Sequence, residues 1–595
     1  MGAGGELAVR ASFSPRPRRA VLFEQIQERS ARRRLEAGGA PVMMMTFPDE
    51  LPGPWRVRPM TTTVEVLAAA FKDAGTPFIV GHPGGETVEL MEAGRQLQMR
   101  FLLMKQEVAG AMLAATWGDL TGSPGICVST RGPGAANMVN GVAHAFLDRS
   151  PLIAITDSYS RPTYETGLRQ RINQLAVFEP IVKWSTTIDA KTVRQQMRRA
   201  MRTATGAPPG PVHFEFPQSE TGREAGDYTA EPPLMPNWIM PGPDRANLKP
   251  ALDMLSRARR PILIAGLGVY WCGASAELVQ LAERLGAPVM TTTKCKGAIP
   301  EDHPLRAGCI IGGLIERKLV MEADLIVTVG LDAVELQPKP WPYTLPVLAL
   351  SPVPSMDALV PADPEIVGDL KALLGGLAQW AAEGTNWGEK AAATFRREVR
   401  DALNTPSTGL SPQRAMEVAR AVLPRDTIAT CDAGASRLLV VQKWESYGPR
   451  EFLTSNGLGS MGYAVPGALA ARMAYPDRPV VAFTGDGGFL MTIAELQTAQ
   501  RENLPIIVMV FDDREIGLIR VKQEIKGIPL HGVQLGGVDW EKLAQSFGAD
   551  GVVVETEQAL SNALGAALKS GRTTVIGVRI DASGYVAQFN ALREL

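Results

Sequence analysis

The sequence predicts an α/β protein made of three consecutive parallel-sheet domains. Short apolar runs alternate with Ala-rich, helically spaced stretches along most of the chain, the pattern of parallel sheets covered by helices. At 595 residues and 45% hydrophobic content, the chain also exceeds the roughly 250–300 residues at which a single core stops growing. A proline-dense stretch, Glu231 to Pro243, and a charged helical connector after Ala382 cut the pattern into three.

Residues 1–59 read as a basic, disordered extension, with arginines at 16, 18, 19 and 32–34. Glu6, Glu24, Glu28 and Glu36 interrupt it, which is unusual for a transit peptide, and residues ahead of the true start codon fit equally well. The first domain is expected over 60–230. Thr63 to Asp73 is helical in its apolar spacing, Pro77 to Val80 is a buried strand turning at Gly81, and Val108 to Trp117 is an apolar helix. Further strands are expected at Gly125–Ser129, Pro151–Thr156 and Val212–Phe216. The second domain, 245–382, opens with the apolar run after Arg260 and continues through strands at Ala287–Thr293 and Ala323–Gly330. The third, 408–590, carries strands at Thr427–Thr430, Pro479–Thr484, Pro505–Phe511 and Thr574–Arg579. The first and third are candidates for copies of one sheet, although no residue-level repeat shows it.

With 61 Lys+Arg against 62 Asp+Glu, nothing in the overall charge points to nucleic acid or an anionic membrane. The five cysteines are far apart with no CxxC pair, which excludes a disulfide framework or zinc site and suits a reducing cytoplasm. The longest apolar run, Leu504 to Phe511, is far short of the ~18–20 residues that span a bilayer.

The strongest chemical signal is Val480-Val-Ala-Phe-Thr-Gly-Asp486-Gly487-Gly488-Phe489, a strand delivering an acid and glycines to its carboxyl end, where ligands bind in open α/β sheets. The next strand ends in Asp512-Asp513-Arg514-Glu515, so a second acid faces the same crevice. Two oxygen ligands suit Mg²⁺ shared with a phosphate, and the glycines leave N–H groups free to cradle that phosphate. A single Asp-Gly is more often a helix cap; paired acids at successive strand ends make that the weaker account. Gly457-Leu-Gly-Ser-Met-Gly462 matches the dinucleotide G-x-G-x-x-G, but it follows Thr454-Ser455-Asn456 rather than an evident apolar strand.

Together with Pro83-Gly84-Gly85, Lys105-Gln-Glu107, Gly132-Pro133-Gly134-Ala-Ala-Asn137 and Asp432-Ala-Gly434-Ala435-Ser436, these motifs resemble the thiamine-diphosphate enzymes, and their order resembles the acetolactate synthases. The resemblance covers nearly everything after Met60. It implies a pyrimidine-binding, a central and a diphosphate-binding domain, with thiamine diphosphate and Mg²⁺ as cofactors. It further implies that Asp486, Asp513 and the main-chain oxygen of Glu515 hold Mg²⁺, and that Gly487, Gly488, Ala435 and Ser436 lie near the diphosphate. The Gly459 carbonyl, Met461, Pro83 and Asn137 would then lie near the rest of the cofactor. Most of the family carries Asn at the second metal position; Asp513 is similar instead to the catabolic acetolactate synthases.

Glu107 is the expected catalytic residue. It opens an apolar helix, Glu107-Val-Ala-Gly-Ala-Met, which desolvates its carboxyl. A lone Glu at a helix start ordinarily serves the helix dipole, worth ~0.3–1 kcal/mol. The resemblance gives Glu107 the task of sharing a proton with the cofactor's aminopyrimidine. Glu107 and Asp486 fall in different domains, and in the family those domains meet across subunits, so a homodimer or a tetramer of dimers is expected.

The expected reaction is decarboxylation of a 2-oxo acid with ligation to a second carbonyl compound; a simple 2-oxo acid decarboxylase, another lyase of the family, or a non-catalytic protein keeping the fold are the alternatives. His82 and Gly85 are candidate substrate contacts, with Arg169 and Gln170. Arg169 replaces the aromatic of a Phe-Gln pair and is either a clamp for a carboxylate or a solvated charge. Arg131, before Gly132, and Lys522 also depart from the acetolactate synthase pattern. FAD, which biosynthetic members bind in the central domain, is permitted by Gly266-Leu-Gly268 but not expected, because Leu348-Ala-Leu-Ser-Pro lacks an acidic strand end.

Overall fold

The computed structural model describes residues 62–225 and 242–592; the expected extension at 1–59 and most of the proline-dense linker lie outside the described residues. Three six-stranded parallel sheets follow one another along the chain. The first comprises β1 (Phe78–His82), β2 (Arg100–Leu103), β3 (Gly125–Ser129), β4 (Leu152–Ser158), β5 (Trp184–Thr187) and β6 (Pro211–Pro217), in the order β2-β1-β3-β4-β6-β5. The second comprises β7 (Pro261–Ala265), β8 (Val289–Thr291), β9 (Arg306–Cys309), β10 (Leu325–Val329), β11 (Val347–Ser351) and β12 (Glu365–Val367), in the order β12-β11-β10-β7-β8-β9. The third comprises β13 (Ile428–Cys431), β14 (Phe452–Thr454), β15 (Val480–Gly485), β16 (Ile507–Asp512), β17 (Asp550–Val554) and β18 (Thr574–Arg579), in the order β14-β13-β15-β16-β18-β17.

Renumbered within each sheet, the first and third share one strand order, 2-1-3-4-6-5, whereas the middle sheet reads 3-2-1-4-5-6, the order of dinucleotide-binding sheets. The outer domains therefore share one topology without a residue-level repeat. Interior strands such as Pro261-Ile-Leu-Ile-Ala are buried on both faces, which is why they read as unbroken apolar runs rather than as alternation.

Among the helices that cover these sheets are α1 (Thr63–Asp73), α2 (Glu107–Thr121), α3 (Pro133–Leu147), α4 (Gly268–Cys272), α5 (Ala435–Lys443), α6 (Ala464–Ala474), α7 (Asp486–Thr492) and α8 (Gly517–Ile525). Both α2 and α6 are Ala-rich and buried over most of their surface, so their backbones pack closely and fuse the cores of the first and third domains. A second core runs from the middle sheet through Phe395 and Leu439 to β15 and β16. No helix among the described residues is long and apolar enough to cross a membrane.

Candidate functional site

Successive crossovers of the third sheet bring three strand ends to one rim: β13 runs into Asp432-Ala433-Gly434, β15 into Asp486-Gly487-Gly488, and β16 into Asp512-Asp513. A cavity of about 260 Å³ opens there. Every residue expected from this half of the chain lines it: Ala435, Ser436, Gly459, Met461, Asp486, Gly487, Gly488, Asp513 and Glu515. Helices α5 and α7 begin at this rim, where first-turn N–H groups have no partner within their own helix.

Glycine at 488 is a packing requirement. A Cβ there would come within 2.3 Å of Asp432 Oδ2. The Asp432 carboxylate accepts from Thr484 Oγ1 at 2.7 Å and from the Ala464 N–H at 2.7 Å, tying the β13 turn to β15 and to the start of α6. Burial pushes this carboxyl above its ordinary range against those bonds.

Asp486 Oδ1 accepts from the Gly487 N–H at 2.7 Å, while its buried Oδ2 has no partner. Burial, with the charge of Asp512 adding to it, pushes the Asp486 pKa up to about 6. Burial and then the charge of Asp486 push Asp513 up to about 7. Two desolvated acids with an unpartnered oxygen, beside glycine N–H donors, are a donor set that fits a hard dication shared with a phosphate. Among the described residues no group of three or more His, Cys, Asp or Glu side chains is disposed to hold a metal, so such an ion would need oxygens other than side chains.

The Gly457–Gly462 loop lies between a strand and a helix. It does follow a strand, β14, a three-residue edge strand whose brevity hid it, and it leads into α6. Buried partners from the first domain hold the loop. Asp148, just past α3, accepts from the Asn456 N–H at 2.8 Å, and Ser455 Oγ sits 3.1 Å from His144 Nδ1 and accepts from the Ser460 N–H at 3.1 Å. Lys294, from the middle domain, reaches Asp119 at 2.8 Å and Asp148 at 3.6 Å. Burial alone would lower the ammonium, yet the two carboxylates hold it above its ordinary value. Asp148 is held well below the carboxylate range by Lys294 and His144, against its own burial. Sequence reasoning missed this network because its members are near neighbours only in space.

The first-domain residues gather separately. Glu107 opens α2, is 7% exposed, and accepts from Asn137 Nδ2 at 3.2 Å through Oε2. A Cβ on Gly134 would stand 3.1 Å from its Oε1, so the Gly132-Pro133-Gly134 turn and Asn137 both close on this acid. His82 ends β1 with Nδ1 3.0 Å from the Met104 carbonyl. Pro83 is half-buried beside it, and Gly85 is exposed at the start of a single 3₁₀ turn. Gln170 packs against Gly132, whose added Cβ would meet the Gln170 carbonyl at 2.7 Å. Arg169 is exposed, and its own carbonyl accepts from Tyr159 Oη at 2.7 Å. Arg131 is no free charge: its guanidinium pairs with Asp157 at 2.7 Å and stacks over the Tyr159 ring at 4.1 Å. None of these residues lines the third-domain cavity.

Family models match all three domains, in the order of the three sheets. Residues 61–177 match the thiamine pyrophosphate enzyme N-terminal TPP binding domain, 248–377 the central domain and 432–578 the C-terminal TPP binding domain. The chain belongs to the thiamine pyrophosphate enzymes. Among curated relatives, this thiamine pyrophosphate enzyme is 31% identical to a probable acetolactate synthase large subunit of Methanocaldococcus jannaschii, over 87% of this chain and 91% of that protein. It is 32% identical to the acetolactate synthase large subunit of Parasynechococcus marenigrum, over 86% and 87%, and 28% identical to the acetolactate synthase isozyme 2 large subunit of Escherichia coli, over 86% and 94%. It is thus an acetolactate synthase-like member of the family, with the three-domain α/β fold its sequence predicts.

Proposed function

We propose that the chain decarboxylates a 2-oxo acid and ligates the resulting acyl unit to a second carbonyl compound, using thiamine diphosphate and Mg²⁺. The observation that carries this reading is the cavity at the third sheet's rim, where Asp486 and Asp513 face glycine N–H groups and Asp486 keeps a buried oxygen unpartnered. Thiamine diphosphate, when bound, supplies an electron sink for loss of carbon dioxide. The chain's residues bind and orient around it. Asp486, Asp513 and the Glu515 main-chain oxygen would hold Mg²⁺; Gly488, Ala435 and Ser436 would offer their N–H groups to the diphosphate, with Gly487, whose N–H donates to Asp486 Oδ1, beside them. The Gly459 carbonyl and Met461, which line the same cavity, would lie against the rest of the cofactor. Glu107, dry and held through Oε2 by Asn137, has Oε1 to share a proton with the aminopyrimidine.

The separation of the Glu107 cluster from the Asp486 cavity supports a site completed by two copies, with Glu107 of the partner subunit over the cavity. Exposed Leu490 and Met491 on α7, with Ile519 on α8 and Leu535, form apolar surface beside that cavity and support a second copy as its cover. Arg169 and Gln170, flanking the Gly132-Pro133-Gly134 turn with His82 and Gly85 nearby in sequence to Pro83, are assigned to the incoming substrate, Arg169 as a clamp for a carboxylate.

The test is calorimetric titration with thiamine diphosphate, with and without Mg²⁺, followed by a panel of 2-oxo acids with product analysis. Mg²⁺-dependent binding and a ligated product are expected. A chain that binds no thiamine diphosphate in the presence of Mg²⁺ overturns the reading, and aldehyde without ligated product reduces it to a simple decarboxylase.

A further inference from the structure

The middle sheet has the strand order of a dinucleotide-binding domain, yet its ligand position is filled by the chain itself. In a 3-2-1-4-5-6 sheet the dinucleotide crosses the switch point between strands 1 and 4, its pyrophosphate on the N–H groups of the glycine turn after strand 1. Here strands 1 and 4 are β7 and β10, paired from Leu325/Pro261 to Val329/Ala265, and the turn is Gly266-Leu267-Gly268. All three of its N–H groups are already used. Gly266 donates to the Val329 carbonyl at 2.8 Å, Gly268 to the Gly330 carbonyl at 2.8 Å, and Leu267 to Glu335 Oε2 at 2.8 Å.

Glu335 reaches that position from a 3₁₀ turn, Ala333–Glu335, capped by the Asp332 side chain on the far side of the switch point. Its carboxylate accepts from Leu267 N, Asp332 N and Thr292 Oγ1. It sits so close to the turn that a Cβ on Gly266 would meet Oε2 at 2.6 Å. The carboxylate therefore makes the contacts a phosphate oxygen would make. Two further observations agree. Strand 2, β8, ends at Thr291 and is followed by Thr292, with no acid there to take a ribose. The cavity next to Glu335, between Thr292, Trp341 and Tyr343, has no residue of the glycine turn in its lining.

We propose that the Glu335 carboxyl group occupies the phosphate seat of the central domain, so that this domain takes neither FAD nor another dinucleotide and is held together by its own side chain instead. FAD, permitted by the glycine turn in the sequence, does not fit the turn as it is folded.

The full-length protein, loaded with thiamine diphosphate and Mg²⁺, is incubated with millimolar FAD, gel-filtered, and read for flavin absorbance and for thermal shift. No retained flavin and no shift are expected. Retained flavin in proportion to protein, or a Tm raised by FAD, overturns the proposal. In parallel, Glu335→Ala is melted in inorganic phosphate and in chloride at matched ionic strength. The variant is expected to melt several degrees lower and to regain part of the loss in phosphate, while the native chain melts alike in both salts. A folded Glu335→Ala protein that melts like the native chain, or gains nothing from phosphate, shows that the carboxylate is not a phosphate surrogate. If the variant does not fold, the flavin arm on the native protein decides alone.

Discussion

Lys294 of the middle domain and Asp119 of the first stand 2.8 Å apart with side chains only 4% and 7% exposed, and Asp148, which holds the Asn456 amide in the third domain, is the ammonium's second partner. One buried cation thus links all three domains behind the Gly457–Gly462 loop. Removing it strands two carboxylates out of water. Lys294→Met is expected to destabilise the protein by about 3–5 kcal/mol, read as a drop in the urea midpoint. Adding Asp119→Asn is expected to recover part of the loss, because one of the stranded charges goes.

Glu107→Gln keeps the size of the side chain and its contact with Asn137 but cannot give or take a proton at Oε1. Turnover is expected to fall by about 10²–10⁴, with thiamine diphosphate affinity changed only a few-fold by calorimetry. Asn137→Ala frees Oε2 and is expected to cost less in turnover than the Glu107 change. Full activity in Glu107→Gln removes this acid from the mechanism.

Chelation of divalent ions is expected to abolish thiamine diphosphate binding, with Mg²⁺ restoring it. Asp486→Asn, which loses the unpartnered Oδ2 charge, is expected to raise the Mg²⁺ concentration needed by at least about tenfold, the equivalent of ~1.4 kcal/mol. Titrating Mg²⁺ at fixed cofactor measures it.

Arg169→Ala is expected to raise KM for a substrate bearing a second carboxylate with little change in kcat, since the residue is exposed and touches no catalytic group. Equal KM values in variant and native enzyme across acidic and neutral acceptors return Arg169 to a solvated charge.

His213 is buried between Thr156 and Ser185 and stacked on Phe178, with ring centroids 4.1 Å apart. Burial lowers its pKa to about 3. The unfolded chain therefore binds a proton below about pH 6.5 that the folded chain refuses. The stability tied to His213 is complete above that value and is lost as pH falls toward 3, at up to about 1.4 kcal/mol per pH unit. His213→Gln is expected to flatten the pH dependence of the urea midpoint between pH 6.5 and 4 by close to one proton.

The strands that were legible in the sequence are the interior ones, and the six it did not reveal, β2, β5, β9, β12, β14 and β17, are the edges of the three sheets. An interior strand is buried on both faces and is therefore mostly apolar, with its few polar groups, such as His213 on β6, paired. An edge strand such as Trp184-Ser-Thr-Thr or Glu365-Ile-Val is partly exposed along its length and carries no such mark. The candidate site divides in the same way. The loops after β13, β15 and β16 converge because parallel crossovers bring their carboxyl ends to one rim, so Asp486 and Asp513 were readable as a pair from spacing, while Ser436 came only from the family resemblance.

Arg131 illustrates what was not readable. It looked like a departure from a motif, whereas it is pinned to Asp157 and laid over Tyr159. Glu335 and Leu267 are 68 residues apart, and Lys294 and Asp119 are 175 apart. A titratable side chain's task depends on which groups surround it once water is gone, and local pattern carries no record of neighbours so distant. The sequence by itself determined the three parallel sheets and the acid-and-glycine rim, because binary pattern and strand-end chemistry are local. Only the tertiary structure decided that Glu335 fills the middle domain's glycine turn and that Lys294 joins three domains, because burial makes a charge answer to its spatial partners.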